Sequence, residues 1–440
     1  MGHIALIPKV GSPETVNDYM PITLLNCILK LITKILANRL QKVVLQIVHK
    51  NQYGFLKGRN IQDCLAWAFE FIYQCETSKK EIMLLKLDFA KAFDTIDHSA
   101  MIKIMRQMGF AEKWLKWIEI IFGTGKSALL LNGVPGRQFQ CMRGVRQGDP
   151  LCPLIFVLAA DLLQSAINKA FRENILHAPF FPDFGQDFPI VQYADDTLII
   201  MSAFIDQVHV MKEILQKYAT STGLTINFQK SNMIPINLSE NKTKEIADII
   251  GCTVASMPFT YLGLPLETTK PTVYDLMPLV DRIERKVSAS FLMMSYSGRV
   301  SVINSLLASI ATFAMCSIKL LEKIINHMEK IQRHCLWNKK TEDGEKCYSL
   351  AAWDKICRPK KKGGLGILNL RVQNDGLLLK YLHKFYDKVD TPWVTLIWNT
   401  YYTNKIPHAL SPRGSFWWKD VFKLCHIFRG IALSSIGNGT

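Results

Sequence analysis

The chain has 440 residues, 49% of them hydrophobic, enough for a substantial core and too many for one compact domain. Lys plus Arg number 53 against 37 Asp plus Glu, giving a formal net charge of +16 and a pI near 9.3; a balance this basic suits a polyanion, nucleic acid first and an acidic membrane surface second. Eleven cysteines without a CxxC pair argue against a disulfide framework and for reduced thiols inside a cell, while no apolar run approaches the ~18–20 residues of a membrane span and no signal-peptide pattern opens the chain.

Ile4-Ala5-Leu6-Ile7-Pro8-Lys9 reads as a strand already inside a domain. A polar loop, Gly11 to Asp18, leads to Pro21-Ile22-Thr23. Apolar residues then recur at helical spacing from Leu24 to Val48, among them Ile28, Leu31, Ile35, Leu36, Leu40 and Val44. Lys30, Lys34, Arg39 and Lys42 fall mainly on other faces and read as a solvated side. Asn51 to Asn60 is a Gly-punctuated loop holding Lys57, Arg59, Tyr53 and Phe55. Basic and aromatic residues interleaved in this way suit a nucleic-acid backbone with stacked bases, and an ordinary turn before the helix Ile61 to Glu76 explains them nearly as well.

Ile82 to Phe89 is a short apolar strand ending in Asp88, a costly choice without a ligand. Asp94 and Asp97 read as turn and N-cap residues for a helix from Ser99 to Met108. A helix from Trp114 to Phe122 follows, then a hairpin from Ser127 to Gln140 turning at Asn132-Gly133. The loop Arg143 to Pro153 precedes a helix from Leu154 to Phe171. Its glycines let backbone approach a ligand, Asp149 can cap and Pro150 suits the first helical position. Arg143, Arg146 and Gln147 within it favour ligand contact over simple capping.

Val191 to Ile200 places the adjacent acids Asp195 and Asp196 between two runs rich in β-branched and aromatic residues. The pattern is a strand, a tight turn carrying the acids, and a returning strand. Charges in such apolar sequence are costly to bury unless a cation binds them; a solvated hairpin tip is the plain alternative. Val208 to Thr220 is helical and closed by Gly223, and Leu224 to Ser231 is a short strand ending at Lys230. Phe259 to Leu266 is a further strand or hairpin. From Tyr274 to Asn338 the pattern is helical, broken at Gly298-Arg299, with a domain boundary near Thr268 to Thr272. Lys355 to Arg371 is basic, and six of the nine tryptophans lie from Trp337 onward. Arg358 to Lys362 reads as a nuclear signal, a phosphate-contacting loop or a merely solvated charge run. His334, Cys335, Cys347 and Cys357 lack zinc-finger spacing, which argues against a metal site there.

Asp88, Asp195 and Asp196 each lie at a strand end or turn, so they converge if their strands are neighbours. Three such acids would hold two Mg²⁺ ions about 3.5–4 Å apart, the arrangement used for in-line phosphoryl transfer. The net basicity supplies the binding term for nucleic acid. Residue chemistry therefore reaches a metal-dependent enzyme acting on nucleic acid.

At these residues the chain resembles the reverse transcriptase domain of non-LTR (LINE-type) retrotransposons, plant-type in its tail. The resemblance runs in order through Ile7-Pro8-Lys9, Asn51 to Gly58, Leu87 to Asp94, Arg143 to Pro153, Tyr193 to Asp196, Gly223 to Ser231, Tyr261 to Pro265, and Pro359 to Gly366. It implies an α+β right-hand polymerase: fingers and palm over 1–270, a helical thumb over 271–338, and an incomplete basic, Trp-rich connector over 339–440. By carry-over, Asp88, Asp195 and Asp196 hold the metal, two Mg²⁺ with Mn²⁺ as an alternative. Lys9 contacts the incoming triphosphate, Phe93 excludes a ribose 2′-hydroxyl, Gln147 and Gly148 line the nucleotide pocket, and Lys230 protonates or neutralises the leaving pyrophosphate. Lys57, Arg59, Arg143 and Arg146 contact nucleic acid, and Tyr261 with Gly263 belongs to the primer grip. The implied partners are an RNA template, a DNA primer and dNTPs, with no membrane, in a ribonucleoprotein of the nucleus or cytoplasm.

The chain departs from the family pattern at Met20, where arginine is usual, and at Cys152, where serine is usual. Loss of the arginine removes a charge-assisted contact to the triphosphate, a bond typically worth about 1.5–3 kcal/mol. With no endonuclease domain upstream and no RNase H domain or Cys/His finger downstream, the expectation is a fragment of an element, able to polymerise but not to transpose alone. Two further readings stand beside this one, a catalytically inactive nucleic-acid-binding relic and a group II intron maturase-like protein.

Overall fold

The computed structural model describes residues 2–123, 126–180, 187–287, 294–337, 349–403, 407 and 413–432. They form two compact units, Met1–Cys64 with Ser78–Ser256, and Leu65–Thr77 with Met257–Thr440. These bounds differ from the expected division at 270 and 338. The chain changes unit at Ser256/Met257, and the helical segment expected as a separate thumb shares a unit with the Trp-rich C-terminal region. Asn338 and Cys347 lie outside the described residues.

Unit 1 holds two sheets. In the first, β1 (Gly2–Pro8) pairs antiparallel with β2 (Tyr19–Leu24) and parallel with β4 (Lys126–Leu131), which turns into β5 (Val134–Gln140). The turn is the expected Asn132-Gly133, both residues at positive φ as a two-residue hairpin requires. The second sheet has the order β6-β7-β3-β8-β9, built from β6 (Ile190–Tyr193), β7 (Asp196–Ser202), β3 (Ile82–Leu87), β8 (Asn232–Ile236) and β9 (Thr253–Val254). β3 is central and nearly all buried, which is why it reads as a continuous apolar run. Against this sheet pack α5 (His98–Gln107), α7 (Cys152–Arg172) and α8 (Ile205–Thr222), whose Met105, Phe156, Leu163 and Leu215 join Leu85, Ile199 and Met233 in one core.

Periodicity found the helix α1 (Cys27–Leu40) but misjudged its apolar side. Leu36, Ala37 and Leu40 are buried, whereas Ile28, Leu31, Ile32 and Ile35 stand exposed. Asp97 caps α5 as expected, accepting the Ala100 N–H at 2.9 Å. Leu224 to Ser231 is not the expected strand: it runs beside β3 as a single bridge and a turn before β8 begins. Two helical stretches, Cys152–Arg172 and Tyr296–Ser317, are long and apolar enough to cross a membrane by composition; the first is the core helix α7, with fourteen buried residues.

Unit 2 contains the hairpin β10 (Phe259–Tyr261) and β11 (Leu264–Leu266), followed by helices. The expected break at Gly298-Arg299 is instead a helix start, since Ser295 caps a helix beginning at Tyr296. The centre of this unit is aromatic: Trp393, Trp417, Trp418, Tyr381, Phe385 and Phe422 are all fully buried.

Candidate active site

The register of the five-stranded sheet decides where the three acids lie. β3 and β7 pair antiparallel from Ile82↔Ser202 to Leu87↔Thr197, so the next step sets Asp88 level with Asp196. β6 and β7 are joined by a two-residue turn, Ala194-Asp195, closed by the Tyr193↔Asp196 pair. Asp88, Asp195 and Asp196 are therefore brought to one end of the sheet. Their side chains are not sealed in apolar surroundings as the sequence suggested; Asp88 and Asp195 are exposed and Asp196 is half-buried. Enough protein surrounds the pair for burial to raise the pKa of both Asp195 and Asp196. The charge of Asp88 raises Asp195 further, and that of Asp195, then Asp88, raises Asp196, with Lys86 alone opposing.

The turn after Leu224 flanks Asp88 from the other side. The Ser231 hydroxyl accepts the Asp88 N–H at 3.0 Å and donates to the Asn227 carbonyl at 2.8 Å, while the Asp88 carbonyl accepts the Asn227 N–H at 2.8 Å. This turn carries Lys230, exposed, to the same end of the sheet.

A second cluster gathers the nucleotide-pocket candidates around Asp94. The Gln147 amide donates to Asp94 at 3.5 Å. Burial raises the pKa of Asp94 while Lys91, that amide and Lys9 hold it down. The Gln147 carbonyl accepts the Thr23 N–H at 2.9 Å. Gly148, at φ +105°, lies so near that a Cβ there would sit 3.0 Å from the Thr23 carbonyl. Phe93 is half-buried, stacked on Phe156 with centroids 4.8 Å apart and edge-on to Phe55 at 6.4 Å. Met20 lies on β2 opposite Ile7.

The nucleic-acid candidates separate. Lys57 and Arg143 are exposed, the latter 4.0 Å from Asp97. Arg59 is turned inward: its guanidinium donates to the carbonyls of His49, Gln52 and Val48 at 2.5, 2.6 and 3.1 Å, and burial lowers its pKa. It is a structural clamp, because the Val48, His49 and Gln52 carbonyls gather on its guanidinium, the His49 carbonyl also accepting the Gln52 N–H at 3.1 Å. Arg146 is half-buried and donates to the Ile121 carbonyl at 2.9 Å. Tyr261 is fully buried in unit 2, so its ring packs a core and does not present a face to bases, while Gly263 is exposed at φ +81°.

Sequence reasoning missed the residues that hold the acid turn. Asn51-Gln52-Tyr53-Gly54 runs alongside β6: Gln192 donates its N–H to the Asn51 carbonyl at 2.9 Å, and Tyr53 donates to the Gln192 carbonyl at 2.8 Å. Gly54 approaches so closely that a Cβ would lie 2.4 Å from the Ala194 nitrogen. The glycine was visible in the sequence, but the strand it meets lies some 140 residues away, as the Gln52–Ala194 hydrogen bond records.

Asp195 and Asp196, raised by burial and then by the charge of neighbouring acids, suit a hard divalent cation, which would relieve that repulsion through oxygen ligands. Among the described residues no group of three or more His, Cys, Asp or Glu side chains, these acids included, is placed to hold a metal ion as the side chains stand.

The family model for reverse transcriptase (RNA-dependent DNA polymerase) matches residues 7–266, a stretch that contains both clusters. The chain is 24% identical over 406 residues to the 149 kDa protein of transposon TX1 from Xenopus laevis, covering 89% of this chain and 29% of that one. It is 25% identical over 288 residues to a Pol polyprotein from type-1 retrotransposable element R2 of Popillia japonica, covering 62% and 38%. This chain thus spans about a third of the length of these curated relatives. Among solved structures, the RNA-dependent RNA polymerase of a human picobirnavirus is similar at TM-score 0.45 and 12% identity, covering 90% of this chain and 64% of that one. The protein belongs to the reverse transcriptase (RNA-dependent DNA polymerase) family.

Proposed function

We propose that this chain is the RNA-directed DNA polymerase of a LINE-type retroelement, extending a DNA primer on an RNA template with dNTPs. The observation that carries the reading is the β3–β7 register, which gathers Asp88, Asp195 and Asp196 inside the family match. Reverse transcriptases as a family use divalent metals, and two Mg²⁺ ions would be held here by these three acids with substrate phosphates completing the coordination. Bound there, the ions supply a lowered pKa for the primer 3′-hydroxyl and charge neutralisation for pyrophosphate. The chain's own residues position the parts. Gln147, Gly148 and Lys9 fix the incoming nucleotide, the Phe93 ring closes the pocket on the ribose side, and Lys230 offers a cation or proton to the leaving group. Lys57 and Arg143 contact the nucleic-acid backbone. The protein would work as a ribonucleoprotein in nucleus or cytoplasm, and the segment Pro359 to Gly366 supports a plant-type element.

One observation favours a second reading, an inactive relic that still holds nucleic acid. Met20 puts an apolar side chain on β2 where an arginine would reach the triphosphate. The test is Mg²⁺-dependent primer extension by the purified chain beside Asp195→Asn. Extension lost in the variant, with RNA affinity within about twofold, supports the polymerase reading, since removing one metal ligand acts on chemistry and leaves backbone contacts in place. Equal extension by both proteins overturns the metal site, and salt-sensitive RNA binding without extension by either selects the relic.

A further inference from the structure

The acid turn is held by a residue outside the metal and nucleotide sets. Gln52 is 1% exposed, and its side-chain carbonyl accepts two backbone N–H groups, from Gly54 and from Ala194, each at 2.9 Å. Two donors converging on one atom require an acceptor there, which fixes the amide with Oε1 toward the turn. The Nε2 then points into the interior, where it is buried without a hydrogen-bond partner. A buried amide satisfied at only one end is a poor choice for stability. Hydrophobic residues of the same length would avoid that cost, so what Oε1 does for the turn must outweigh it.

The turn itself needs holding. Ala194 sits at φ +56°, a left-handed conformation that a residue with a Cβ keeps only when its surroundings impose it. Its N–H, directly before Asp195, is the one Gln52 takes. The same oxygen draws in the Gly54 N–H, and Gly54 is the residue whose missing Cβ leaves room for Ala194. We infer that Gln52 is a positioning residue for the catalytic turn: its carbonyl locks Ala194 in the left-handed state and thereby fixes where the Asp195 and Asp196 carboxylates point. The consequence for catalysis rests on the polymerase reading above, whereas the lock itself does not.

Two variants test it, Gln52→Met, which keeps the length and removes the acceptor, and Gln52→Glu, which keeps the acceptor. In Gln52→Met, hydrogen exchange of the segment 190–197 is expected to speed up about tenfold while 82–87 stays protected, a local opening and not a global one. Primer extension should lose about 10–100-fold in kcat, the scale of a small misplacement of reacting groups. The KM for dNTP and RNA affinity should hold, and half-saturating Mg²⁺ should rise. Gln52→Glu should restore protection of 190–197. Wild-type exchange in Gln52→Met overturns the inference, and so does opening spread evenly over β3 and β6 with RNA affinity lost, because that is loss of fold. If the wild-type chain extends no primer, the polymerase reading fails, and the exchange comparison alone still decides the lock.

Discussion

The acid end of the five-stranded sheet and the centre of unit 2 are ordered by opposite means. Unit 2 is fixed by apolar burial: Trp418 is fully buried, with ring neighbours Phe385 at 4.8 Å and Phe422 at 5.4 Å, and its only polar demand is met by the Tyr402 hydroxyl at 3.4 Å. The acid end is fixed by hydrogen bonds to backbone, a glycine in close approach, and a left-handed alanine, beside Asp195 and Asp196, whose pKa values are raised by burial and then by neighbouring acids. Large stacked rings contribute stability with little directional demand. Repelling charges and a strained turn contribute none, and they persist where the surroundings over-determine them for the sake of a ligand.

That contrast can be broken at its stable side first. Trp418→Ala should destabilise the protein by about 3–5 kcal/mol, the usual cost of emptying a tryptophan site, read as a lowered denaturation midpoint; a loss under ~1 kcal/mol would mean the aromatic centre is not what holds unit 2. A buried charge inside unit 1 comes next. Asp161 is 3% exposed, accepts the His49 N–H at 2.9 Å, and is pushed by burial to about 6. The folded state therefore binds a proton the unfolded chain releases, so stability falls as pH rises from about 4 to just above 6, by up to about 3 kcal/mol. Asp187, held low by its hydrogen bond to His49, acts with the opposite sign, so the informative measurement is Asp161→Asn against wild type by urea denaturation at pH 4.5 and 7. The variant should flatten the difference.

Two smaller effects sharpen the active-site side. Met20→Arg should lower the KM for dNTP about tenfold, the equivalent of one charge-assisted bond of about 1.5 kcal/mol, with kcat little changed; an unaltered KM would place the triphosphate elsewhere. Arg143→Ala should reduce the salt slope of RNA binding by about one, whereas Arg59→Ala should leave the slope alone and cost about 1–3 kcal/mol of stability through the carbonyls that its guanidinium holds. The reverse pattern would return Arg59 to the nucleic-acid surface.

The local geometry around several candidate residues was legible because its signals are local. An Asp closing an apolar strand, and two acids in a turn between β-rich runs, carry their geometry in the adjacent residues; so do Asn132-Gly133 and the Asp97 cap. Arg59 and Tyr261 were misread for one reason. A basic or aromatic residue near a glycine looks the same in sequence whether it faces solvent or the interior, and the choice depends on distant carbonyls and packing partners. The segment Leu224 to Ser231 failed as a strand because the Asp88 carbonyl takes the Asn227 N–H while the Asp88 N–H goes to the Ser231 hydroxyl, which turns the segment before β8 starts.

The sequence by itself determined the ingredients: three carboxylates at strand ends or in a turn, a strong net positive charge, and an ordered set of motifs. Only the tertiary structure decided that those acids come to one end of a single sheet, since that depends on β7 lying next to β3 in a fixed register. It also decided what holds them, because the partner of the Ala194 N–H is a glutamine 142 positions earlier in the chain, and no local pattern encodes a contact closed across that distance.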